Sequence, residues 1–223
     1  MAVNKNVNAG ARTVRPRRRD AARNRDALIA AGRELFDANG LTPTLDDVAR
    51  HAGVGVGTAY RHFPNKYALA QAVLAESVTD MLDAADRAAQ LDDAAAGLAA
   101  LFDAVLEPQA AKRALGRVLR DAPDTAPPVD DVHTRIENCI DTLLERAREQ
   151  QVVRSDITAT DIGVLMSLMG HLIERFGDVD AHLWRRFLPI LLHGLRADAP
   201  APLPGTALNT EDFISRLGRS TQP

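Results

Sequence analysis

Helical periodicity breaks twice in quick succession between Thr44 and Lys66, and that spacing limits the fold more than any other feature of the chain. Thr44 stands where a helix N-cap belongs, and Asp47, three positions on, can return a hydrogen bond to it. Leu45, Val48, Ala49 and Ala52 then share one helical face. Gly53 ends this short helix. A second follows at about 56–62, and Pro64-Asn65 stops it before a long helix from Lys66 to about Ala89. Upstream, Leu28, Ala31 and Leu35, with Ile29, Gly32 and Phe36, form an apolar stripe on a helix that starts at Asp20 and ends at Asn39-Gly40.

The remainder also reads as helix. Helices are expected near 91–106, 109–121, 130–150, 158–176 and 180–197, separated by Pro108, Pro123, Pro127-Pro128 and Gly177-Asp178. Pro189 falls inside the last of these. A Pro-rich linker follows, and a short helix is expected at 210–217. No segment carries a strand pattern, so the expected fold is all-α, with about nine helices. The expected organisation is a disordered basic arm at 1–19, a three-helix unit at 20–64, a helical bundle at 65–197, and a linker and tail at 198–223.

Two short helices joined by a Gly-containing turn behind a longer helix make a helix-turn-helix, whose second helix enters the DNA major groove. The charge distribution agrees. The formal net charge is −3, yet residues 1–70 carry twelve Lys/Arg against six Asp/Glu, and the rest carries fifteen against twenty-four. A basic end on an acidic body is the footprint of a chain that meets a polyanion with one end. No run of about 18 apolar residues suggests a membrane span. The basic N-terminus has no apolar segment behind it, which argues against a secretory signal. One cysteine, Cys139, leaves no intrachain disulfide, and a cytoplasmic location is expected.

The second short helix reads Val56-Gly57-Thr58-Ala59-Tyr60-Arg61-His62. Val56 and Gly57 are small enough to let backbone approach base edges. Thr58 can bond a base or phosphate and can set its methyl against a thymine methyl. Tyr60 and His62 can donate to phosphate, and Arg61 can read guanine or hold phosphate. Thr44 and Lys66, each at a helix N-terminus, are further phosphate candidates. Arg17, Arg18 and Arg19 in the arm are candidates for phosphate or minor-groove contact, the plainer alternative being a solubilising tail.

The stretch TLDDVARHAGVGVGTAYRHFPNKYALAQAVL resembles the DNA-binding region of TetR-family transcriptional regulators. The resemblance rests on Thr44, Val48, Ala49, Ala52-Gly53-Val54, Gly57-Thr58, Tyr60, His62-Phe63, Lys66 and Leu69, and covers about one third of the chain, residues 22–75. It implies an all-α homodimer with three amino-terminal helices for DNA and a variable ligand-binding bundle behind them. It also implies that Thr58 meets DNA and that Tyr60 and Lys66 bind phosphate. One position departs from the pattern: Gly55 stands where many relatives place a serine N-cap, and glycine caps less strongly by a few tenths of a kcal/mol.

Other motifs carry less. Gly53, Gly55 and Gly57 do not complete a G-x-G-x-x-G, because Thr58 holds the last glycine's place and no strand precedes them. His171, Glu174, Asp178, Asp180 and His182 cluster in sequence, but a polar helix end and a solvated turn account for them better than a metal site. No nucleophile–base pair or paired-acid arrangement points to an enzyme, and no cofactor is expected.

The bundle offers apolar faces that sequence alone cannot divide between core, pocket and interface. Leu98, Leu101, Phe102 and Val105 with Leu115 and Leu119, then Ile136, Cys139, Ile140 and Leu143, then Leu165 and Met169, are candidates to line a ligand cavity. Cys139 reads as a small hydrophobe. Leu165, Met166, Leu172, Ile173 and Phe176 on one helix, and Trp184, Phe187, Leu188, Leu191 and Leu195 on the next, are candidates for a dimer seam. The expected function is that of a dimeric repressor released from a palindromic DNA operator by an unidentified small molecule. The alternative is a constitutive DNA-binding dimer without a ligand.

Overall fold

In the computed structural model the described residues are 14–120, 129–198 and 201–217. Among them the chain forms nine helices and no strand: α1 Val14–Asn39, α2 Leu45–His51, α3 Val56–His62, α4 Lys66–Ala89, α5 Ala94–Arg120, α6 Val129–Glu149, α7 Ala159–Phe176, α8 Trp184–Gly194 and α9 Thr210–Leu217. They fall into two compact units that divide within α4, after Val73, with the last turn of α5 grouped with the first unit.

In the first unit, Leu28, Ile29 and Phe36 of α1 are buried with Leu45, Val48 and Ala49 of α2, Ala59 of α3, and Phe63, Leu69 and Val73. Gly32 allows α1 to lie close on α4, since a Cβ there would stand 3.2 Å from Leu69 Cδ2 and 3.4 Å from Val73 Cγ2. The capping box at the start of α2 forms as the sequence suggests: Thr44 Oγ1 accepts from Asp47 N, and the Asp47 carboxylate accepts from Thr44 N at 2.9 Å. At its other end α2 closes in a Schellman turn. Gly53 N donates to Arg50 O, and Val54 N to Ala49 O at 2.9 Å. Gly53 has φ +66, the left-handed conformation that this turn requires and that glycine adopts without a Cβ penalty.

Two boundaries in the sequence reading need correction. α1 begins at Val14, so Arg17, Arg18 and Arg19 lie in its first turns and not in an unstructured arm. Pro16 does not prevent this, because the first helical turn has no intrahelical use for the missing N–H. Residues 1–13 of the expected arm lie outside the described residues. Pro108 likewise fails to end a helix, and α5 runs through it as one element. Leu101, Phe102, Val105, Leu106 and Ala110 are all buried on either side of it, and that continuous apolar face offsets the lost backbone bond.

The second unit has its own core, in which Leu98, Leu101, Phe102 and Leu106 of α5 pack with Leu143, Leu144 and Ala147 of α6, Ile162 and Ile173 of α7, and Trp184 and Leu188 of α8. α6 also secures the α4–α5 corner. Arg146 Nη1 donates to Ala89 O at 2.9 Å and to Leu91 O, placing a cation at the C-terminal end of α4. Gln150 accepts from Ala94 N at 3.0 Å and donates to Asp92 O. α7 opens with a second capping box, between Thr158 and Asp161. No helix among the described residues is long and apolar enough to cross a membrane.

Candidate nucleic-acid interface and bundle cavity

α3 presents its outward face to solvent. Val56, Gly57, Tyr60 and Arg61 are exposed, while Thr58 and His62 are partly covered and Ala59 faces inward. The expected contact residues of the second helix therefore share one accessible surface, with small side chains at its start and donors at its end. Gly55 is the N-cap and makes no side-chain bond to the helix.

The flanking candidates sit differently from the expectation. The N-terminus of α2 carries a carboxylate of its own, since Asp47 accepts from both Thr44 N and Thr44 Oγ1. The Thr44 hydroxyl and backbone hold the Asp47 carboxyl at about 2, well below the usual carboxylate value, with Arg50 assisting. Lys66 is not a free cation either: its Nζ donates to Leu41 O at 2.6 Å, beyond the end of α1, which leaves two of its three N–H donors for a phosphate. Arg25 lies over the Phe63 ring at 5.4 Å, so it helps pack the unit. Asp46 brings a negative charge to this face, and its hydrogen bond raises the pKa of the Tyr60 hydroxyl. Tyr67, exposed with its ring 5.8 Å from Lys66 Nζ, is an additional donor that periodicity did not single out. Arg19 is exposed; the side chains of Arg17 and Arg18 lie outside the described residues.

The second unit holds an open-sided cavity of about 380 Å³. Of the candidates, Val105, Ile136 and Ile140 line it. Leu98, Leu101, Phe102 and Leu143 do not; they are close-packed core. Leu165 and Met169 pack partly buried against that core. Cys139 faces a separate groove, where its Sγ donates to Asp86 Oδ1 at 3.3 Å. Burial, then that carboxylate, pushes the thiol up to about 11, which leaves it unreactive at neutral pH. The side chains of Leu115 and Leu119 lie outside the described residues. Met166, expected at a dimer seam, instead lines the cavity.

Sequence reasoning missed one wall of this cavity. Thr210 and Phe213 of α9 close one side, although the tail gave no sign of belonging to the bundle. Gly163 makes the docking feasible, because a Cβ there would stand 2.8 Å from Phe213 Cε1. Thr210 Oγ1 donates to Glu137 Oε1 at 2.8 Å and lies 3.3 Å from Thr160 Oγ1.

The dimer-seam candidates divide by burial. Ile173, Trp184, Leu188 and Leu195 are buried within their own unit. Leu165, Leu172 and Leu191 are partly buried. Phe176 and Phe187 are exposed, as are two residues not singled out, Leu168 at 58% and Ile190 at 69%. A helix is amphipathic toward whatever covers it, and the sequence shows the apolar arc but not which part of the arc the subunit itself covers. His171 Nδ1 bonds Ser167 O at 2.8 Å and His182 Nε2 bonds Glu107 at 3.2 Å, so the two histidines have separate partners. Among the described residues no group of three or more His, Cys, Asp or Glu is placed to hold a metal.

Comparison with known proteins agrees with the geometry of both units. Residues 28–73 match the family of bacterial regulatory proteins of the tetR family, and residues 93–197 match the C-terminal domain of SbtR-like transcriptional regulators. An HTH-type transcriptional regulator of Staphylococcus aureus is 36% identical over 69 residues, which is 30% of this chain and 36% of that protein. The chain's match thus spans about a third of that relative. Solved structures extend the likeness. A TetR transcription regulatory protein of Mycobacterium vanbaalenii is 29% identical with a TM-score of 0.60, covering 81% of this chain and 99% of that one. A TetR transcriptional regulator of Streptomyces coelicolor is also 29% identical with a TM-score of 0.59, covering 78% and 99%. With its helix-turn-helix and its helical second unit each matched, the chain belongs to the TetR family of transcriptional regulators.

Proposed function

We propose that this protein is a dimeric repressor that binds a palindromic operator through α3 and is released from it by a small molecule bound in the second unit. The observation that carries the DNA half is the exposed face of α3, where Val56, Gly57, Tyr60 and Arg61 lie together on the basic end of the chain. Arg61 would contact a base edge or phosphate and Tyr60 a phosphate, with Lys66 and Tyr67 adding donors beside them.

The exposed apolar side chains of α7 and α8 support a twofold pairing through those helices. In that arrangement the two copies of α3 would sit about 34–36 Å apart, one turn of duplex. The cavity supports a ligand-responsive protein over a constitutive binder. A ligand that prefers one of two conformations shifts the protein toward it, and α4, which runs from the first unit into the second, is the element suited to carry that shift.

Selection of operators from random duplexes tests the DNA half. The expected result is an inverted repeat, with Arg61→Ala weakening binding by about 10–100-fold, the loss typical of a hydrogen bond to a charged group. A selected site without twofold symmetry, or one bound equally by the Arg61→Ala protein, contradicts it. Failure of every cavity-binding compound to change operator affinity leaves only the constitutive reading.

A further inference from the structure

Helix α9 is built as a piece of its own at the end of an exposed tether. Asn209 caps it: its Oδ1 accepts from Asp212 N at 2.8 Å, and its Nδ2 donates to the Asp212 carboxylate at 2.6 Å. The helix has eight residues, too few to persist in water without packing support. Glu211, Asp212 and Ser215 are exposed, while Thr210 and Phe213 are partly covered by the bundle. Phe213 sets its ring on the α7 backbone at Gly163, where a Cβ would stand 2.8 Å from Cε1. Thr210 bridges two helices. Its hydroxyl donates its one proton to Glu137 Oε1 of α6 at 2.8 Å, so in its 3.3 Å contact with Thr160 of α7 the donor is Thr160 Oγ1.

The chain before α9 is anchored short of it. Arg154 Nη2 donates to Ala201 O at 2.6 Å, and Leu203 N donates to Asp156 Oδ2 at 2.8 Å. Arg154 Nε donates to the other oxygen of that carboxylate at 2.5 Å. Between this anchor and the cap, residues 204–208 are exposed and form no helix, and Gly205 has φ +79. A stretch of that length reaches at most about 17 Å, enough to carry a short helix off its seat. We propose that α9 is a hinged flap: it undocks about residues 204–208 while α5–α8 stay folded, and it closes on a molecule held in the cavity. Thr210 and Phe213 line that cavity with Val105, Ile140 and Met166, so an occupant touches α9 only when the flap is docked. Occupancy and docking therefore favour each other by the same factor. A short, self-capped segment of this kind opens at a lower free energy than the whole domain. This inference rests on the ligand-sensing reading above and adds how the site closes.

Hydrogen exchange on the full chain tests it, with N-phenyl-1-naphthylamine as a neutral apolar probe. Amides of α9 are expected to exchange at least about tenfold faster than those of α6 and α7, and the probe should slow them. Phe213→Ala should abolish protection in α9, leave α5–α8 protected, and weaken the probe about tenfold, the scale of one lost aromatic contact. Thr160→Cys with Thr210→Cys supplies a lock, since the two Oγ1 atoms lie 3.3 Å apart. Oxidised, this pair should release the probe more slowly than when reduced. Exchange of α9 in step with α6 and α7 overturns the proposal, as does failure of the cysteine pair to oxidise. Equal probe release in the two redox forms, or no probe binding at all, overturns it too. Operator affinity in the same proteins separates the two ideas. A probe that orders α9 and leaves DNA affinity unchanged sinks ligand release and keeps the flap. Probe-driven release that is identical in Phe213→Ala does the opposite.

Discussion

Gln151 has φ 56, the only left-handed non-glycine among the described residues. It sits just past α6, where Gln151 N donates to Arg148 O and Val152 N to Ala147 O, the same Schellman closure that Gly53 makes after α2. Gly53 meets this demand without strain and Gln151 does not. Gln151→Gly should therefore stabilise the second unit by about 0.5–1 kcal/mol, read as a higher melting temperature. Asp47 makes the opposite kind of contribution, which depends on charge. Its carboxyl is held near 2 in the folded chain, below the value of about 3.9 for a free aspartate, so its ionised form stabilises the cap. That contribution is fully present above about pH 4 and disappears as the pH falls through about 2. Acid unfolding of the wild type and Asp47→Asn should therefore diverge above pH 4 and converge below pH 2.

Among the helices, the sequence patterns succeed where a cap or turn is specified locally. Thr44 with Asp47, and Gly53, each carry their own hydrogen bonds, and α2 starts and stops at those marks. The patterns fail at Pro108, where local chemistry argued for a break and packing carried α5 through. If the buried face on both sides of Pro108 overrides its preference, then Pro108→Ala should restore a backbone bond at no packing cost. The expected gain is about 1–3 kcal/mol in denaturant unfolding. A loss would show that the proline ring packs or shapes the helix there. α9 shows a different limit. Its boundaries follow from sequence, but its place beside Gly163 depends on a contact between positions fifty residues apart in the chain.

At the scale of the molecule, an association surface is separated from a core by burial alone. Ile190→Glu alters a side chain that is 69% exposed, so it should leave the folded subunit intact and convert a dimer to a monomer in light scattering at micromolar concentration. Trp184→Ala, at a fully buried position, should instead cost about 3–5 kcal/mol of stability whatever the oligomeric state. An Ile190→Glu protein that stays dimeric would move the seam elsewhere.

The amino-acid sequence determines the helical class, the helix-turn-helix and the residues that make up its second helix. Those features depend on local periodicity, caps and turn residues, which a chain displays within a few positions. The tertiary structure decides the rest. It commits Lys66 partly to Leu41 and binds the Asp47 carboxylate to Thr44 at the start of α2. It sorts one apolar arc into core, cavity wall and exposed surface, and brings α9 and Glu137 to the same space. Each of these depends on which distant segment covers a given face. Apolar residues are alike in sequence whether they are covered by the chain itself, a ligand or a second copy, and only the folded arrangement separates those uses.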